Sequence, residues 1–552
     1  MTNKNMANTF RLLAELMELH GENPFKIRSY EVAARTIEQQ PQPLSALSAQ
    51  QIEDLPGVGK AIAGKISALL QTGTFDLLDR LLAVTPAGIT EMLQIKGLGP
   101  KKVKILWQEL NIETVGELLY ACQENRLLHL KGFGEKTQEN VKKSVEYFLA
   151  NAKYYRYADM EPEALYLQQA FAQLPDVERV ELTGAYRRKC EVLEFADLLI
   201  AGNWSNLQNW CNQLQIMLLH VQEQSATAQS ATGLPLQLHS ATTQNFACRL
   251  LQTTAAPAHW QQLIAIKEPN PHSNTETDIY QQLGLPFIEP ELREGLDEIE
   301  LARKNHLPPH LLRVEDITGI IHAHSTYSDG RDSLENIARA CMASGYLYLG
   351  ISDHSKAAFY ANGLSEAAII QQHKEIDRLN QTLAPFRIFK GIEADILNDG
   401  SLDYNNEVLQ SFDFVIASIH STLQMTEEKA MMRLIRAIEN PYTTILGHLT
   451  GRLLLSRAGY PVNHRKIIDA CAANKVIIEI NANPYRLDID WRWIPYCLEK
   501  GVLLSINPDA HSTAGINDVK YGVFAARKGK LTKEHTLNTR TPDEVAGIFA
   551  LK

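Results

Sequence analysis

The sequence predicts a multidomain protein: an N-terminal α-helical region, a mixed α/β middle and a C-terminal (β/α) barrel. Three observations predict it. Up to about residue 155, apolar residues recur at three and four spacing between Gly or Pro interruptions, and no alternating strand interrupts them. From about 156 to 300, strand-like runs such as VERVELTG and FADLLIAG alternate with helical stretches such as EALYLQQAFAQL. From about 314 onward, short apolar runs (YLYLGIS, DFVIASI, YTTILGH, KVIIEINA, GVLLSI) alternate with helical segments, the pattern of a parallel sheet or barrel with ligands at its strand C-termini.

At 552 residues, 45% hydrophobic and 21% charged, the chain is long enough for roughly three or four domains with cores of their own. Seven cysteines stand singly with no CxxC pair, which speaks against a disulfide framework or a thiolate zinc site and for a reducing cytosol. The first twenty residues read as an amphipathic helix containing Glu15 and Glu18, not as a signal peptide or membrane span, so a cytoplasmic location is expected. A net charge of −10 excludes a polycation that coats nucleic acid, so any such contact must be local.

Within the helical region three turns repeat: LPGVGKAIAGKI at 55–66, IKGLGPKKVKIL at 95–106 and LKGFGEKTQENV at 130–141. Each is an apolar residue, then Gly-x-Gly (Gly57 and Gly59, Gly97 and Gly99, Gly132 and Gly134), then a helix start carrying Lys60, Lys101 with Lys102, or Lys136. Glycine lets the backbone turn with positive φ and approach a partner, and a helix start offers N–H groups and a positive dipole end to a phosphate. One copy would serve equally well as a plain helix turn. Three copies point to a nucleic-acid backbone held without base reading.

The barrel region carries His322 and His324 in GIIHAHS, Asp329 in YSDG, His354 in LGISDHS, Glu393 in KGIEADI, His420 in VIASIHS, His448 in ILGHLTGR, and Asp509 with His511 in SINPDAHS. Each lies at or just beyond the end of a strand-like run, and nine ligands suffice for up to three ions. Residues i and i+2 of a strand share a face, so His322 with His324, and Asp509 with His511, are each expected to clamp one ion. Imidazole and carboxylate donors without thiolate suit zinc, manganese or iron alike. Grouped ions of this kind lower the pKa of bound water toward roughly 7 and polarise a phosphoryl oxygen, which drives phosphoester hydrolysis. Asp353 and Asp395, beside ligands, are expected to orient a histidine from behind. Arg452, four residues past His448, is a candidate for a substrate phosphate or an ordinary salt bridge.

These clusters resemble the PHP (polymerase and histidinol phosphatase) metallo-phosphoesterases, whose fold is a distorted (β/α) barrel with a trinuclear centre. The words SDHSKAAFYANGLS, GIEADILNDGSLDY, NPYTTILGHLTGRLL, EINANPYRLDID and NPDAHS are similar to the C-terminal domain of bacterial family X DNA polymerases, with Pro508 the one departure. The Gly-x-Gly turns likewise resemble helix-hairpin-helix motifs. The resemblance covers essentially the whole chain and implies a lyase-like domain over 1–80, a fingers-like helix-hairpin-helix domain over 81–155, a nucleotidyltransferase-like palm over 156–235, a thumb-like domain over 236–300 and the PHP domain over 314–552.

In that family the palm holds two magnesium ions with three aspartates, after a Gly-Ser and basic pair that meets nucleotide phosphates. The corresponding stretch here, GAYRRKCEVLEFADLLIA, keeps Gly184, Arg187, Arg188 and Asp197 but has Ala185 for the serine and Phe195 for the first aspartate. Gln237 stands where the third is expected, and Gln252 to Ala256 replace the nucleotide-clamping run. Glu194, three residues from Asp197 along an expected strand, would face the wrong side. Magnesium binds poorly without carboxylates, so synthesis is expected to be absent or very weak. Lys65 matches the family's Schiff-base lysine, although a solvated helix-face role fits it too.

The expected function is therefore a single-chain, metal-dependent 3′–5′ exonuclease or 3′-end and abasic-site phosphoesterase, acting on gapped, nicked or abasic DNA without sequence preference. The alternatives are a working repair polymerase with an auxiliary nuclease, a non-catalytic gap-binding scaffold, and a small-molecule phosphatase that would leave the Gly-x-Gly turns unexplained.

Overall fold

A computed structural model describes residues 3–40, 42, 44–95, 97–149 and 154–552, and the chain divides into two units, residues 1–152 and 153–552. Residues 1, 2 and 150–153 of the expected helical region lie outside the described residues.

The described residues of the first unit are helical. Its first helix, Asn3–Leu19, buries Met6, Ala7, Phe10, Leu13, Ala14 and Met17 at the spacing of one helix face. Phe10 stacks on Tyr30 and Phe75 with centroids 6.1 and 5.8 Å apart. His20 spans the expected boundary at 80/81: its Nε2 lies 2.8 Å from Thr85 Oγ1 and its ring meets the Trp107 edge at 5.7 Å. The two expected helical domains thus share one body. In the three turns, Gly57, Gly97 and Gly132 have φ of +76°, +91° and +91°. The residue two before each glycine accepts from the residue after it: Val58 N donates to Leu55 O at 2.9 Å, Leu98 N to Ile95 O at 3.0 Å and Phe133 N to Leu130 O at 3.1 Å. Helices Lys60–Thr72, Pro100–Leu110 and Glu135–Leu149 follow.

The second unit begins with a sheet of Val177–Leu182 (β1), Ala196–Gly202 (β2), Met217–Val221 (β3), Ser225–Gln229 (β4) and Pro235–Ala241 (β5), in the order β1-β2-β5-β4-β3. The expected palm boundary at 235 falls inside this sheet, because β5 pairs with both β2 and β4. Glu194 is not on a strand with Asp197 as expected; it lies in a bend before β2, which starts at Ala196.

The barrel follows: Gly319–Ala323 (β6), Tyr348–Ile351 (β7), Arg387–Asp395 (β8), Phe414–Ser418 (β9), Ile445–Leu446 (β10), Ile477–Asn481 (β11) and Leu504–Asn507 (β12). All neighbours are parallel in the order β12-β11-β10-β9-β8-β7-β6. A parallel bridge between Ala323 and Ala510, with His324 N donating to Ala510 O at 2.8 Å, nearly closes the ring. Alternate strand residues feed two cores. Ile320, Leu349, Ile388, Val415, Leu446 and Ile478 pack under the outer helices. Ile321, Tyr348, Phe389, Phe414, Ile445 and Ile477 fill the floor of the barrel, which Phe549 of the last helix plugs by stacking on Phe414 at 4.9 Å.

Above that floor the strands carry small residues. A Cβ at Gly391 would lie 2.1 Å from the Phe414 ring and 2.5 Å from the Ile351 carbonyl oxygen, whereas one at Gly547, in helix Pro542–Phe549, would meet nothing within 4 Å. Gly391→Ala is expected to lose about 1–3 kcal/mol by overpacking, and Gly547→Ala to gain about 0.5–1 kcal/mol from helix propensity. Denaturant midpoints of the two full-length variants against the parent check the opposite signs.

Candidate metal centre

Period-two alternation lifts polar side chains onto the face that the floor residues share: Phe389, Gly391 and Glu393 succeed one another on β8, and Ile477, Glu479 and Asn481 on β11. At this level the nine sequence-predicted residues converge. Their ligand atoms fall into three groups within 4.8 Å of one another: His324, Asp329, His354 and His511; His322, His324 and Asp509; and His354, Glu393 and His420. His448 joins through Glu393, its Nε2 standing 3.0 Å from Oε1.

Glu393 is the hub. Its Oε1 also faces His420 Nε2 at 3.1 Å and His322 Nε2 at 3.4 Å, and its Oε2 faces His354 Nδ1 at 3.0 Å and His324 Nε2 at 3.7 Å. Several of these atoms are close without hydrogen bonding. His322 Nε2, His324 Nδ1, His354 Nδ1, His448 Nδ1 and Glu393 Oε2 are buried and have no hydrogen-bond partner. Buried imidazole nitrogens and carboxylate oxygens that face one another unbonded fit ligands of a shared cation.

The electrostatics agree. Burial alone would raise Glu393, but His420, His322 and His354 hold it well below the usual carboxylate range. Burial opposes a charge on His420 too, yet Glu393 and Asp395 push it up to about 10. Burial together with His511 and His354 brings His324 down to about 3, so its ring is neutral, as a ligand must be. A neutral ring offers one lone pair. His324, which belongs to two groups, would therefore serve one ion rather than two.

Local backbone geometry aims these groups. His322 sits at a break in the register between β6 and β7 and has φ +68°, and Asp509, past the end of β12, has φ +53°. Both conformations are costly for residues other than glycine. Past the strand, Asp509 groups with His322 and His324 and His511 with His324, Asp329 and His354, while His511 Nδ1 also stands 3.8 Å from Asp509 Oδ1.

Behind the ligands, Asp395 accepts from His420 Nδ1, as expected. Asp353 touches no histidine. It accepts from Ser325 N at 2.8 Å, Ser328 Oγ at 2.5 Å and Gln372 Nε2 at 2.6 Å, and so fixes the turn that presents Asp329. The histidine-orienting acid that sequence reasoning missed is Glu479, which accepts from His322 Nδ1 at 2.5 Å, from Asn507 Nδ2 at 2.8 Å and from the His448 backbone N–H at 2.7 Å. Its signal was a lone acid among the isoleucines of KVIIEINA. Arg452 does not face the centre. It donates to Asp490 Oδ2 at 2.7 Å and to the carbonyls of Arg486 and Leu487, clamping that loop in place of a substrate phosphate.

The central sheet tells a different story. Asp197 lies in register with Gln237, so the neighbouring strand supplies an amide where a third carboxylate was sought. Asp197 accepts from His239 Nε2 at 3.2 Å, and burial raises its pKa against the pull of His239 and Arg188. Gly184, at φ +62°, packs so tightly that a Cβ would lie 2.4 Å from the Asp197 carboxylate. The arginines expected to meet nucleotide phosphates are engaged. Arg187 pairs with both oxygens of Glu276 at 2.9 and 2.7 Å, and Arg188 with Glu294 at 3.2 Å and the Thr254 carbonyl at 2.6 Å. Fully buried Arg293 also pairs with Glu276 at 2.5 Å, and Lys528 of the barrel with Glu294.

In the first unit Lys60, Lys101 and Lys136 are exposed beside their turns, whereas Lys102 folds back onto the Gly97 carbonyl at 3.1 Å. Gly59 and Gly99 cap their helices with no side chain on the free N–H groups. Lys65 donates to Ala61 O at 3.2 Å and lies 5.6 Å from the centre of the Tyr30 ring.

Comparison with known proteins agrees with this architecture. A helix-hairpin-helix domain family matches residues 1–75, a SAM-like helix-hairpin-helix tandem residues 89–146 and the PHP domain residues 321–483. The last match stops short of Asp509 and His511, which the fold nevertheless brings to the centre. The chain is 32% identical over 576 residues to the DNA polymerase/3′-5′ exonuclease PolX of Bacillus subtilis (strain 168), covering 100% of this chain and 99% of that protein. It is 24% identical over 228 residues to a probable phosphatase of Thermoanaerobacter sp. (strain X514), covering 40% of this chain and 85% of the relative. A probable phosphatase of Caldicellulosiruptor bescii is 30% identical over 137 residues, covering 23% and 55%. Among the described residues no helix is long and apolar enough to cross a membrane.

Burial alone would raise Glu276, but Arg293 and Arg187 outweigh it and hold its carboxyl at about 2. A depressed folded pKa contributes stability that is complete above the unfolded value and lost as pH falls toward the folded one. Glu276→Gln is therefore expected to cost about 3 kcal/mol at pH 7, with the gap between parent and variant closing below about pH 4.5. Denaturant unfolding of both proteins at pH 7, 5 and 4 measures it.

Proposed function

This chain belongs to the bacterial family X DNA polymerases that carry a C-terminal PHP domain, and we propose that it is a metal-dependent DNA 3′–5′ exonuclease and 3′-end or abasic-site phosphoesterase whose polymerase core no longer synthesises. The observation that carries the reading is the convergence of nine imidazoles and carboxylates, from strand ends up to 189 positions apart by number (322 to 511), around one buried glutamate.

His322, His324, Asp329, His354, Glu393, His420, His448, Asp509 and His511 would hold up to three ions of manganese, zinc or iron. Bound ions of this kind supply Lewis acidity, lowering the pKa of water and polarising a phosphoryl oxygen. The chain's own residues set the stage for that chemistry. Glu479 accepts from His322 Nδ1 and Asp395 from His420 Nδ1, which orients both Nε2 atoms toward Glu393. Asp353 keeps Asp329 in place through Ser325 and Ser328. The three Gly-x-Gly turns, with Lys60, Lys101 and Lys136 exposed beside them, suit a DNA backbone held without reading sequence, as at a gap, nick or abasic site. The Bacillus subtilis relative is named as a 3′-5′ exonuclease, which supports the same reaction class. The similarity to probable phosphatases favours a second substrate for the same centre, a 3′-terminal phosphate.

Absence of synthesis is supported by the single remaining Asp197, its amide neighbour Gln237, and the ion pairs that occupy Arg187 and Arg188. Lys65 is read as a helix-face residue. The protein is placed in the cytoplasm as a single chain on DNA.

A gel with 3′-labelled gapped, blunt, abasic and 3′-phosphate DNA tests the centre. With Mn²⁺ the protein is expected to shorten or dephosphorylate these ends, and a chelator or the His322→Ala/His324→Ala variant to reduce the rate by at least about 100-fold. Equal rates in that variant overturn the assignment. In a second assay, primed template and nucleotides with Mg²⁺ are expected to yield no extension. Extension that Asp197→Ala abolishes restores the working polymerase.

A further inference from the structure

We propose that Phe359 and Tyr360 form a stacking platform for the terminal base of the DNA strand whose end enters the barrel, a subsite that rests on the nuclease reading above. The short helix Phe359–Ala361 follows the ligand His354 by five residues. The Tyr360 ring lies 6.3 Å from the His354 ring, and the Phe359 ring 6.0 Å from that of Tyr360 at 77°. A line of rings thus runs from the metal centre outward, and its last member, Phe359, is 78% exposed.

Single exposed apolar residues are common on protein surfaces. This one is held out by a rigid scaffold. Ala358 and Ala361, on either side, are fully buried. The Tyr404 hydroxyl accepts from Lys356 N at 3.1 Å, Asp403 from Ala357 N at 2.5 Å, and the His354 carbonyl from Leu364 N at 2.8 Å. Gly363 closes the loop where a Cβ would lie 1.8 Å from the Ser355 carbonyl oxygen, so the loop cannot spread without breaking its contact with the ligand strand. A segment this constrained could bury Phe359 by turning inward only at the expense of its two alanines. Its exposure is therefore part of the loop's design.

Every base has a π face, so a ring beside the scissile phosphate grips a terminal nucleotide without reading its identity. That matches turns that hold backbone alone. The occupant is one unpaired base at the end of a strand, because an internal base of a duplex is already stacked on both faces.

The test mixes the full-length, Mn²⁺-loaded chain rapidly with single-stranded DNA ending in 3′-terminal 2-aminopurine and reads the fluorescence before the end is cut. Stacking on Phe359 quenches the probe. Phe359→Ala and Phe359→Leu are expected to lose the quench and Phe359→Trp to keep it, which separates a ring from mere apolar cover. With Mn²⁺, the parent is expected to have a KM about 5- to 100-fold lower for an end bearing a base than for one bearing an abasic residue, and Phe359→Ala to abolish the difference. An unchanged quench and an unchanged preference in Phe359→Ala overturn the platform. Cutting by the parent without quench leaves the nuclease and removes the platform, whereas quench without cutting leaves the platform and removes the nuclease.

Discussion

One buried carboxylate constrains everything at the barrel mouth. Glu393 is 1% exposed, and rings from His322, His324, His354, His420 and His448 approach it from four strand ends. An anion in such a place costs several kcal/mol unless compensated. Five imidazoles cannot all carry protons for that purpose, since they would repel one another; His324 is already driven to about 3 by burial and its histidine neighbours. Shared cations resolve the conflict. The same need explains the small residues below. Gly391 lets Phe414 pack flat beneath Glu393, and the apolar floor holds the cluster in a dry environment where charge interactions are strong.

The charged side chains of the central sheet are engaged in structure. Unpaired arginines close to a hydrophobic core would be uncompensated cations. Here Glu276 and Glu294 neutralise them, and Arg293 and Lys528 extend the lattice to the thumb-like region and the barrel. Glu161 adds bonds to Lys520 at 2.6 Å and the Tyr521 hydroxyl at 2.9 Å. Lys189 lies over the rings of Tyr157, Tyr186 and Phe524. These ion pairs tie the domains of residues 153–552 together.

Much of this was legible in the sequence, for identifiable reasons. Metal ligands at strand ends announce themselves, since nine titratable groups at the ends of apolar runs have no cheap structural role. Repeated Gly-x-Gly fixes a local turn that needs no tertiary information, and all three first glycines adopt positive φ. Gln237 was matched to the third aspartate through the family resemblance, and the strands set it in register with Asp197. What escaped depends on contacts distant in sequence or on departures from regular backbone. Glu479 matters only because β6 brings His322 to it across 157 positions. The turn at Asp509 needs a left-handed residue that no strand pattern signals. Asp353 was given a histidine by proximity in sequence, whereas the fold gave it a serine turn, and Arg452 takes the salt bridge rather than facing the centre. The palm boundary expected at 235 falls inside a sheet because β5 is a central strand reached by a short hairpin.

Charge decides the order in which such a centre can work. Asp329, Glu393, Asp395, Glu479 and Asp509 crowd the mouth of a chain whose net charge is −10, and a phosphodiester entering there would meet like charge in a poorly screened setting. The histidines cannot reverse that field alone, because burial and mutual repulsion limit how many are protonated. Under the proposed reading, cations held at these carboxylates would offset that charge before a scissile phosphate settles among them. The lysines at the Gly-x-Gly turns lie in a different unit from the acids of the barrel, so initial capture of the backbone and chemistry at its end place opposite electrostatic demands on separate parts of the molecule.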